Sequence, residues 1–142
     1  MRKISRAARP HTVTVYNYQG TTAGVATYQR TQLARVCYDG AHQQKLAKRG
    51  VTTQDKAQLT IELRDLDATA NRTYVLPKTW ANRTPAQRAP YFTFDTANDF
   101  FVEGACSTEL PPATKAKLQK TERIIGVTEV SLTGFILEVY GK

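Results

Sequence analysis

Two carboxylates four residues apart, Asp95 and Asp99, are the first residues of this chain whose type and spacing suggest chemistry. They occur in "YFTFDTANDFFVEG" (residues 91–104), between two aromatic runs. A general acid–base pair needs carboxylates in a cleft where other polar groups converge. Here the aspartates bracket "TAN", a tripeptide typical of a turn, where such side chains cap nearby backbone N–H groups. The pattern predicts a hairpin between "YFTF" and "FFVEG", with both aspartates solvated at its tip.

Imidazoles and thiols are the next candidate site. The four such side chains are His11, Cys37, His42 and Cys106. Zinc ligands usually come in pairs at short spacing, and only Cys37 and His42 are near each other in sequence. Neither CxxC nor HExxH is present. Small buried thiols and surface imidazoles are the favoured interpretation, and we expect no metal and no other cofactor.

Nucleophilic catalysis has no better support from the sequence. Ser5, Ser107 and Ser131 lack a GxSxG context, and His11 and His42 lie in or beside polar segments. The phosphate-binding patterns GxxxxGK[ST] and GxGxxG are absent. We therefore predict that the protein is not an enzyme.

Cationic side chains give the chain a net charge of +8, from 20 Lys and Arg against 12 Asp and Glu. Three groups carry much of this charge: Arg2, Lys3, Arg6 and Arg9; Lys45, Lys48, Arg49 and Lys56; and Lys115, Lys117, Lys120 and Arg123. Such groups either bind phosphates with salt-dependent affinity or are solvated surface charge. The balance favours an anionic partner, either nucleic acid or an acidic protein surface, with a soluble basic domain as the alternative.

The elements that must position these residues are mainly β. Residues 1–10 are basic and end in Pro10, which predicts an N-terminal arm without its own fold. In residues 11–142, alternation such as Val13 and Val15 and turn signals such as Asp39-Gly40 predict seven to eight short strands. Thr84-Pro85 begins one short helix, and residues 110–120 suggest a second. The predicted fold is one domain, a small antiparallel β-barrel or sandwich.

Residues 41–56 contain almost nothing apolar and exceed the usual connection in a compact domain, so they predict a long polar loop that is functional or disordered.

Two cysteines are too few for a disulfide framework, which favours reduced thiols in an intracellular protein. No apolar region follows the basic N-terminus, and no run approaches the roughly 20 apolar residues of a membrane span. We expect a soluble protein with no membrane contact.

Four stretches, "TVTVYNY", "TYQRTQLARVCY", "TPAQRAPYFTF…DFFVEG" and "GFILEVYGK", together resemble a family of small virion proteins of tailed bacteriophages. The clearest matches are residues 91–94, 99–104 and 138–142, and the resemblance spans nearly the whole chain. Members usually have Gly-Asp where this chain has Asn98-Asp99. Asn tolerates positive φ nearly as well as Gly, so the same turn is expected.

The resemblance implies a minor capsid or head–tail connection protein, most like the head-closure (stopper) proteins of siphophages. These are small β-barrels that form a ring, of six or twelve copies, below the portal or its adaptor. The ring extends the DNA channel and gives the tail a docking surface. The implied partners are further copies of the chain, the portal or adaptor protein, a tail protein and, without sequence specificity, the packaged DNA. The implied location is the head–tail interface of the virion, after synthesis in the host cytoplasm.

In such a ring, the cations of the polar loop would face the DNA channel or a neighbouring copy. The cations of the N-terminal arm would reach between subunits. Within the same class, a tail terminator, a portal adaptor and a minor capsid protein are the alternatives. From another class, the charge and the β-rich pattern also fit an OB-like nucleic-acid-binding module.

Overall fold

The computed structural model describes residues 3–40, 43–47, 50–54 and 57–142, with the backbone alone for 43–47 and 50–54. It is mainly β, which confirms the predicted fold class. The strands of the described residues are β1 (His11–Thr22), β2 (Val25–Asp39), β3 (Gln43–Ala47), β4 (Gly50–Gln54), β5 (Ala57–Glu62), β6 (Asp67–Ala68), β7 (Thr73–Tyr74), β8 (Tyr91–Phe92), β9 (Phe100–Glu103), β10 (Ile124–Thr133) and β11 (Ile136–Gly141). The helices are α1 (Pro77–Ala81), α2 (Pro85–Arg88) and α3 (Lys115–Leu118). None of the described helices has the length and apolarity that crossing a membrane requires.

Six of these strands close into a barrel. Their order is β1-β9-β10-β11-β5-β2, and β2 pairs again with β1, while β6 is added beside β2. All of these pairs are antiparallel. Closure of a sheet on itself removes the free strand edges that would otherwise pair with other chains.

The barrel has two rims, which we call rim A and rim B. Rim A is formed by the strand ends His11, Asp39, Ala57, Glu103, Ile124 and Gly141. Rim B is formed by the opposite strand ends, Thr22, Val25, Glu62, Phe100, Thr133 and Ile136. The hairpin turns β1–β2 and β10–β11 lie at rim B, whereas residues 41–56 are inserted at rim A.

Alternating apolar side chains fill the barrel. Because successive side chains of a strand point to opposite faces, apolar residues at every second position line one face. Val13 and Val15, from which the sequence predicted a strand, are fully buried. The matching pairs on other strands are Leu59 and Ile61 on β5 and Leu137 and Val139 on β11. Burial of a side chain of this size stabilises the fold by about 2 kcal/mol.

A second, smaller core lies outside the barrel wall. The segment between β9 and β10, residues 104–123, packs Cys106, Leu110 and Leu118 against outward-facing side chains of β1 and β9. Among these, the rings of Tyr16 and Phe100 stack with their centroids 5.0 Å apart. Strand β9 is therefore buried on both faces, and this explains the continuous apolar run "FFV".

The hairpin predicted between "YFTF" and "FFVEG" is wrong. Residues 96–98 do form a turn, but the strands that flank it belong to different sheets. Strand β8 pairs in parallel with β7, and β9 pairs with β1 and β10. A local pattern identifies a turn and two strands, but it does not show which distant strands they pair with.

The polar loop predicted over residues 41–56 contains two paired strands. β3 and β4 are antiparallel, with Gln43 opposite Gln54 and Ala47 opposite Gly50. A ladder of backbone hydrogen bonds needs no apolar face, so polar strands carry little alternation to recognise. Lys45 lies on β3, and Lys48, Arg49 and Lys56 lie outside the described residues.

The described part of the N-terminal segment, which was predicted as an arm without its own fold, is docked on the barrel. Residues Arg6–Ala8 form a 3-10 turn. Arg9 is only 2% exposed and donates to the carbonyl oxygens of Ile4, Arg35 and Asp65. Lys3 is exposed, and Arg2 lies outside the described residues. The acceptors lie up to 56 residues away in sequence, where no local pattern reveals them.

Candidate functional site

Asp99 is the buried carboxylate of this structure that most resembles an active-site group. The turn at residues 96–98 places it against β1, where only 5% of the residue is exposed. Its Oδ1 accepts a hydrogen bond from the Tyr18 backbone N–H at 2.8 Å. Its Oδ2 accepts from Asn17 Nδ2 and from the Asp95 backbone N–H, both at 2.9 Å. The predicted solvated position is therefore wrong for Asp99, because a distant strand covers the turn.

Asp95 has a separate role. It is half-buried, and its Oδ1 accepts from the Ala97 backbone N–H at 3.0 Å, so the predicted capping of the turn is confirmed for this residue. A cavity of about 250 Å³ lies beside it, lined also by Trp80 and Arg88. Arg88 is itself held by the Trp80 carbonyl oxygen and by Gln19 Oε1. The two aspartates therefore cross-link backbone segments, and they do not converge on this cavity as an acid–base pair.

Burial of Asp99 has a consequence for the pH dependence of stability. Burial raises the pKa of its carboxyl from 3.8 to about 6. Because the folded state then binds this proton more tightly than the unfolded chain does, the free energy of unfolding falls as pH rises from 3.8 to about 6. Titration of one group changes the free energy of unfolding by at most about 1.4 kcal/mol per pH unit. We expect Asp99→Asn to remove this slope in urea unfolding measured across that window.

Asp95→Asn is the matched control, and it should keep the slope. An Asp99→Asn protein with the wild-type slope would contradict the assignment. Glu62 acts in a lower window with the opposite sign, since hydrogen bonds from Arg64 lower its pKa to about 2. Its stabilising contribution is present above pH 4.5 and is lost as pH falls through about 2. The two windows overlap between pH 3.8 and 4.5, so the slope of Asp99 is measured between pH 4.5 and about 6.

Of the described imidazole and thiol side chains, two accept hydrogen bonds within the fold. His11 Nδ1 accepts from the Tyr38 backbone N–H at 3.0 Å, and Cys106 Sγ accepts from the Tyr16 hydroxyl at 3.2 Å. Cys37 is a half-buried free thiol on β2, and His42 lies outside the described residues. In the part of the chain that the structure describes, no three His, Cys, Asp or Glu side chains are grouped to hold a metal ion.

Most arginines of the described residues are used as internal cross-links. Around Asp65, Arg6 Nε and Arg9 Nη2 donate at 2.8 Å and Arg35 Nη1 at 3.0 Å. These charge-assisted bonds hold the pKa of the Asp65 carboxyl well below its usual range. Other guanidinium groups pair with a carboxylate or bind backbone carbonyl oxygens: Arg30, Arg64, Arg72 and Arg88. The arginine-rich first part of the chain, which suggested an anionic partner, is therefore largely accounted for within the fold.

The third basic group lies on residues 104–123, the outer segment, which covers β9. Leu118 anchors α3 in the second core, and Thr114 Oγ1 accepts from the Lys117 backbone N–H at 3.3 Å. Lys115 Nζ lies 4.8 Å from the centroid of the Phe100 ring. Lys117 and Lys120 are exposed. The structure thus holds these lysines on one short segment, as the sequence suggested.

Arg123 links this segment to rim A. It interacts with Tyr38 at the end of β2, and it opposes the rise in the pKa of Tyr38 that burial causes. Glu103 and Asp39 lie close enough to act on the same hydroxyl. Arg123, the last member of the third basic group, therefore lies at the rim formed by the ends of β2 and β9.

Rim B carries exposed apolar side chains at the tips of its two hairpins. In the β1–β2 turn, Ala23 and Gly24 have φ of +52° and +78°, and Val25 beside them is 43% exposed. At the β10–β11 tip, Leu132 is 43% and Phe135 is 52% exposed. The Phe135 ring lies 4.9 Å from the Arg64 guanidinium carbon, which fixes its position. The sequence pattern gave no indication that these apolar side chains stay uncovered.

Comparison with known proteins gives one match. A family model described as a family of unknown function (DUF6751) matches residues 9–135. No curated protein and no solved structure matches the chain.

Proposed function

The chain belongs to the DUF6751 family of unknown function. We propose that it is a non-enzymatic structural protein of a tailed-bacteriophage virion. In this proposal it is the head-closure (stopper) protein of the head–tail connector. Copies form a ring of six or twelve below the portal or adaptor protein, extend the DNA channel and present a surface to the tail. The resemblance of "YFTF", "DFFVEG" and "EVYGK" to phage virion proteins supports this class.

The observation that carries the proposal is a closed barrel with two chemically different rims. A closed barrel offers few free strand edges, so copies must associate through side chains of projecting segments. Exposed apolar side chains on such segments are typical of protein–protein contacts. Rim B supplies them at Leu132 and Phe135, whereas the described residues at rim A include Arg123 and Lys142. A contact between unlike surfaces is heterologous, and heterologous contacts close into rings when the rotation between copies allows it.

The ionisable groups support a structural role. Glu62 is fully buried and binds Arg64, with Glu62 Oε1 accepting from Arg64 Nε at 2.6 Å. Asp65 and Asp99 likewise have their oxygens occupied by donors of the same chain. Carboxylates held in this way stabilise a fold, and they are not poised to exchange protons with a substrate.

The double substitution Leu132→Ser and Phe135→Ser tests the role of the rim B tip. We expect wild-type protein, mixed with the portal protein of the same virus, to give closed rings in native mass spectrometry. The double variant should give mainly monomers, because it lacks the apolar contact between copies. The control is Leu76→Ser, which removes an apolar side chain that is 54% exposed but lies outside both hairpin tips.

Rings formed equally well by the double variant would contradict this role of rim B. Wild-type protein that stays monomeric with the portal protein would contradict ring assembly itself. A tail terminator or a minor capsid protein would be the next candidates within the class. A portal adaptor is less favoured, because adaptors tend to be helical and this chain is mainly β.

An OB-like nucleic-acid-binding module is the second candidate, since a small barrel with exposed lysines could bind a polyanion. Single-strand binding by such modules depends on exposed aromatic rings that stack on bases. Four of the five phenylalanines, namely Phe92, Phe94, Phe100 and Phe101, are fully buried. Phe135 is exposed but lies against Arg64. This candidate requires the isolated monomer to bind single-stranded DNA or RNA at low salt, and a gel shift without a complex would exclude it.

A further inference from the structure

We propose that the outer segment around α3 binds the phosphate backbone of duplex DNA through Lys115, Lys117 and Lys120. The inference rests on the proposed function in one respect, because packaged DNA is the polyanion that a head–tail ring would meet. It deepens that function by placing a DNA contact on described residues at the outside of the barrel.

These lysines differ from the arginines in being unpaired. Within the described residues, neither Lys117 nor Lys120 makes a side-chain hydrogen bond or an ion pair. The Lys115 ammonium group makes a cation–π contact with the Phe100 ring and has no ion pair among these residues. The nearby carboxylate of Glu109 is taken by Arg30, with Oε1 2.9 Å from Nε. Three ammonium groups are therefore available to an external anion.

The backbone that carries the lysines is fixed in place. Leu110 and Leu118 are 1% and 2% exposed, and both pack in the second core. The Lys120 backbone N–H donates to the Lys117 carbonyl oxygen at 3.1 Å, which continues the turn after α3. Binding would then cost little ordering of the main chain, and only the lysine side chains would lose freedom.

The position of the segment extends the positive charge toward rim A. Arg123 follows Lys120 by three residues and lies beside Tyr38 at that rim. The C-terminal Lys142 is held at the same rim, where its backbone N–H and carbonyl exchange hydrogen bonds of 3.1 Å with Gly126. A polyanion bound along the wall would therefore continue toward Arg123 and Lys142, while Asp39 and Glu103 lie near Tyr38 at the same rim. This continuity fits an extended backbone better than a single small anion.

The chemistry of the segment favours phosphate over a membrane or an acidic protein. Helices that lie on membranes expose Trp, Phe or Leu to the bilayer, whereas the leucines of this segment point into the second core. Protein interfaces are depleted in lysine and enriched in aromatic residues, and this segment shows the reverse composition. Lysine is a common ligand of phosphate groups, to which it brings a compact charge.

Fluorescence anisotropy with a short mixed-sequence DNA duplex, titrated at several salt concentrations, tests the proposal. The variant is Lys117→Ala with Lys120→Ala. The matched control is Lys3→Ala with Lys78→Ala, which removes the same charge from two exposed lysines elsewhere. At about 50 mM salt we expect the variant to bind at least about tenfold more weakly than the wild type. The slope of log K against log salt should become shallower by about 2, while the control changes much less.

Equal losses in the variant and the control would overturn the site, since net charge alone would then explain binding. Absence of duplex binding by the wild-type protein would overturn it as well. Vesicles of anionic lipid that bind with the same dependence on Lys117 and Lys120 would show that the segment is a membrane contact instead. Native mass spectrometry of the variant with the portal protein separates this inference from the proposed function. Intact rings from a wild-type protein that does not bind DNA would overturn only the DNA site.

Discussion

Replacing Gly141 with alanine is expected to destabilise the protein by about 3 kcal/mol. A Cβ atom at this position would lie 2.5 Å from the Gly126 carbonyl oxygen and 2.7 Å from Ile125 Cγ2. The backbone oxygen cannot move aside without separating β10 from β11, because Gly126 and Lys142 exchange hydrogen bonds there. The register of the two strands also shifts between Val127, which lies opposite Gly141, and Glu129. Urea unfolding followed by circular dichroism would measure the loss.

Gly126→Ala is the matched control on the facing strand. Its added Cβ would meet only the Lys142 carbonyl oxygen, at 3.6 Å, which is an ordinary contact. Since glycine inside a strand is less favourable than alanine, this variant should be unchanged or slightly more stable. Equal effects of the two substitutions would contradict the steric explanation.

Replacing Arg9 with methionine is expected to cost a similar amount, about 3 kcal/mol. Methionine keeps the apolar part of the side chain but leaves the carbonyl oxygens of Ile4, Arg35 and Asp65 without their buried donor. Arg35 lies in a β-bulge of β2 and has a φ of +61°. Because the Arg9 guanidinium donates to its carbonyl oxygen, Arg9→Met also removes a contact that stabilises this bulge. The same unfolding measurement gives the effect, and the N-terminal segment should become sensitive to limited proteolysis.

Arg6→Met is the control, because Arg6 binds the same Asp65 carboxylate from a largely exposed position. Its side chain is 68% exposed, against 1% for Arg9. Exposed ion pairs contribute little to stability, so Arg6→Met should leave the unfolding midpoint nearly unchanged. A larger loss for Arg6→Met than for Arg9→Met would contradict the assignment of the buried guanidinium as the cross-link.

The strands of the barrel were predictable where apolar residues alternate with polar ones. Leu59 and Ile61 alternate with the half-buried Gln58 and Thr60, because the core selects apolar side chains on one face of the strand. Val13 and Val15 show the same alternation, although Thr14 and Tyr16 on the other face are buried beneath residues 104–123. Strand β9 was recognised as a strand, but its partners were not. It pairs with β1, which precedes it by more than 70 residues, and with β10, from which residues 104–123 separate it.

The burial of charged groups was not predictable, because it depends on the same distant contacts. The sequence showed that Asp99 follows a turn, and only the fold reveals that Asn17 and Tyr18 cover it. Arg9 was read as part of a free arm for the same reason, since most of its acceptors are backbone carbonyl oxygens that any residue type can provide. The group Lys115, Lys117 and Lys120 was recognised from composition, because its exposure needs no long-range partner.

Three features of the structure are relevant to the proposed role. The barrel is closed, the apolar side chains at rim B are uncovered, and the unpaired lysines of the outer segment lead toward rim A. A ring made from such units would have one set of contacts between copies and a separate cationic surface for DNA. The two proposals therefore concern different surfaces, and substitutions can separate them.

Electron cryo-microscopy of virions that contain this chain tests the central claim most directly. The measurement is the position and copy number of the density that the barrel fits. We predict a single ring of six or twelve copies at the joint between head and tail, with the channel for DNA passing through it. Density for the barrel only in the major capsid lattice, or only in a tail fibre, would contradict the claim.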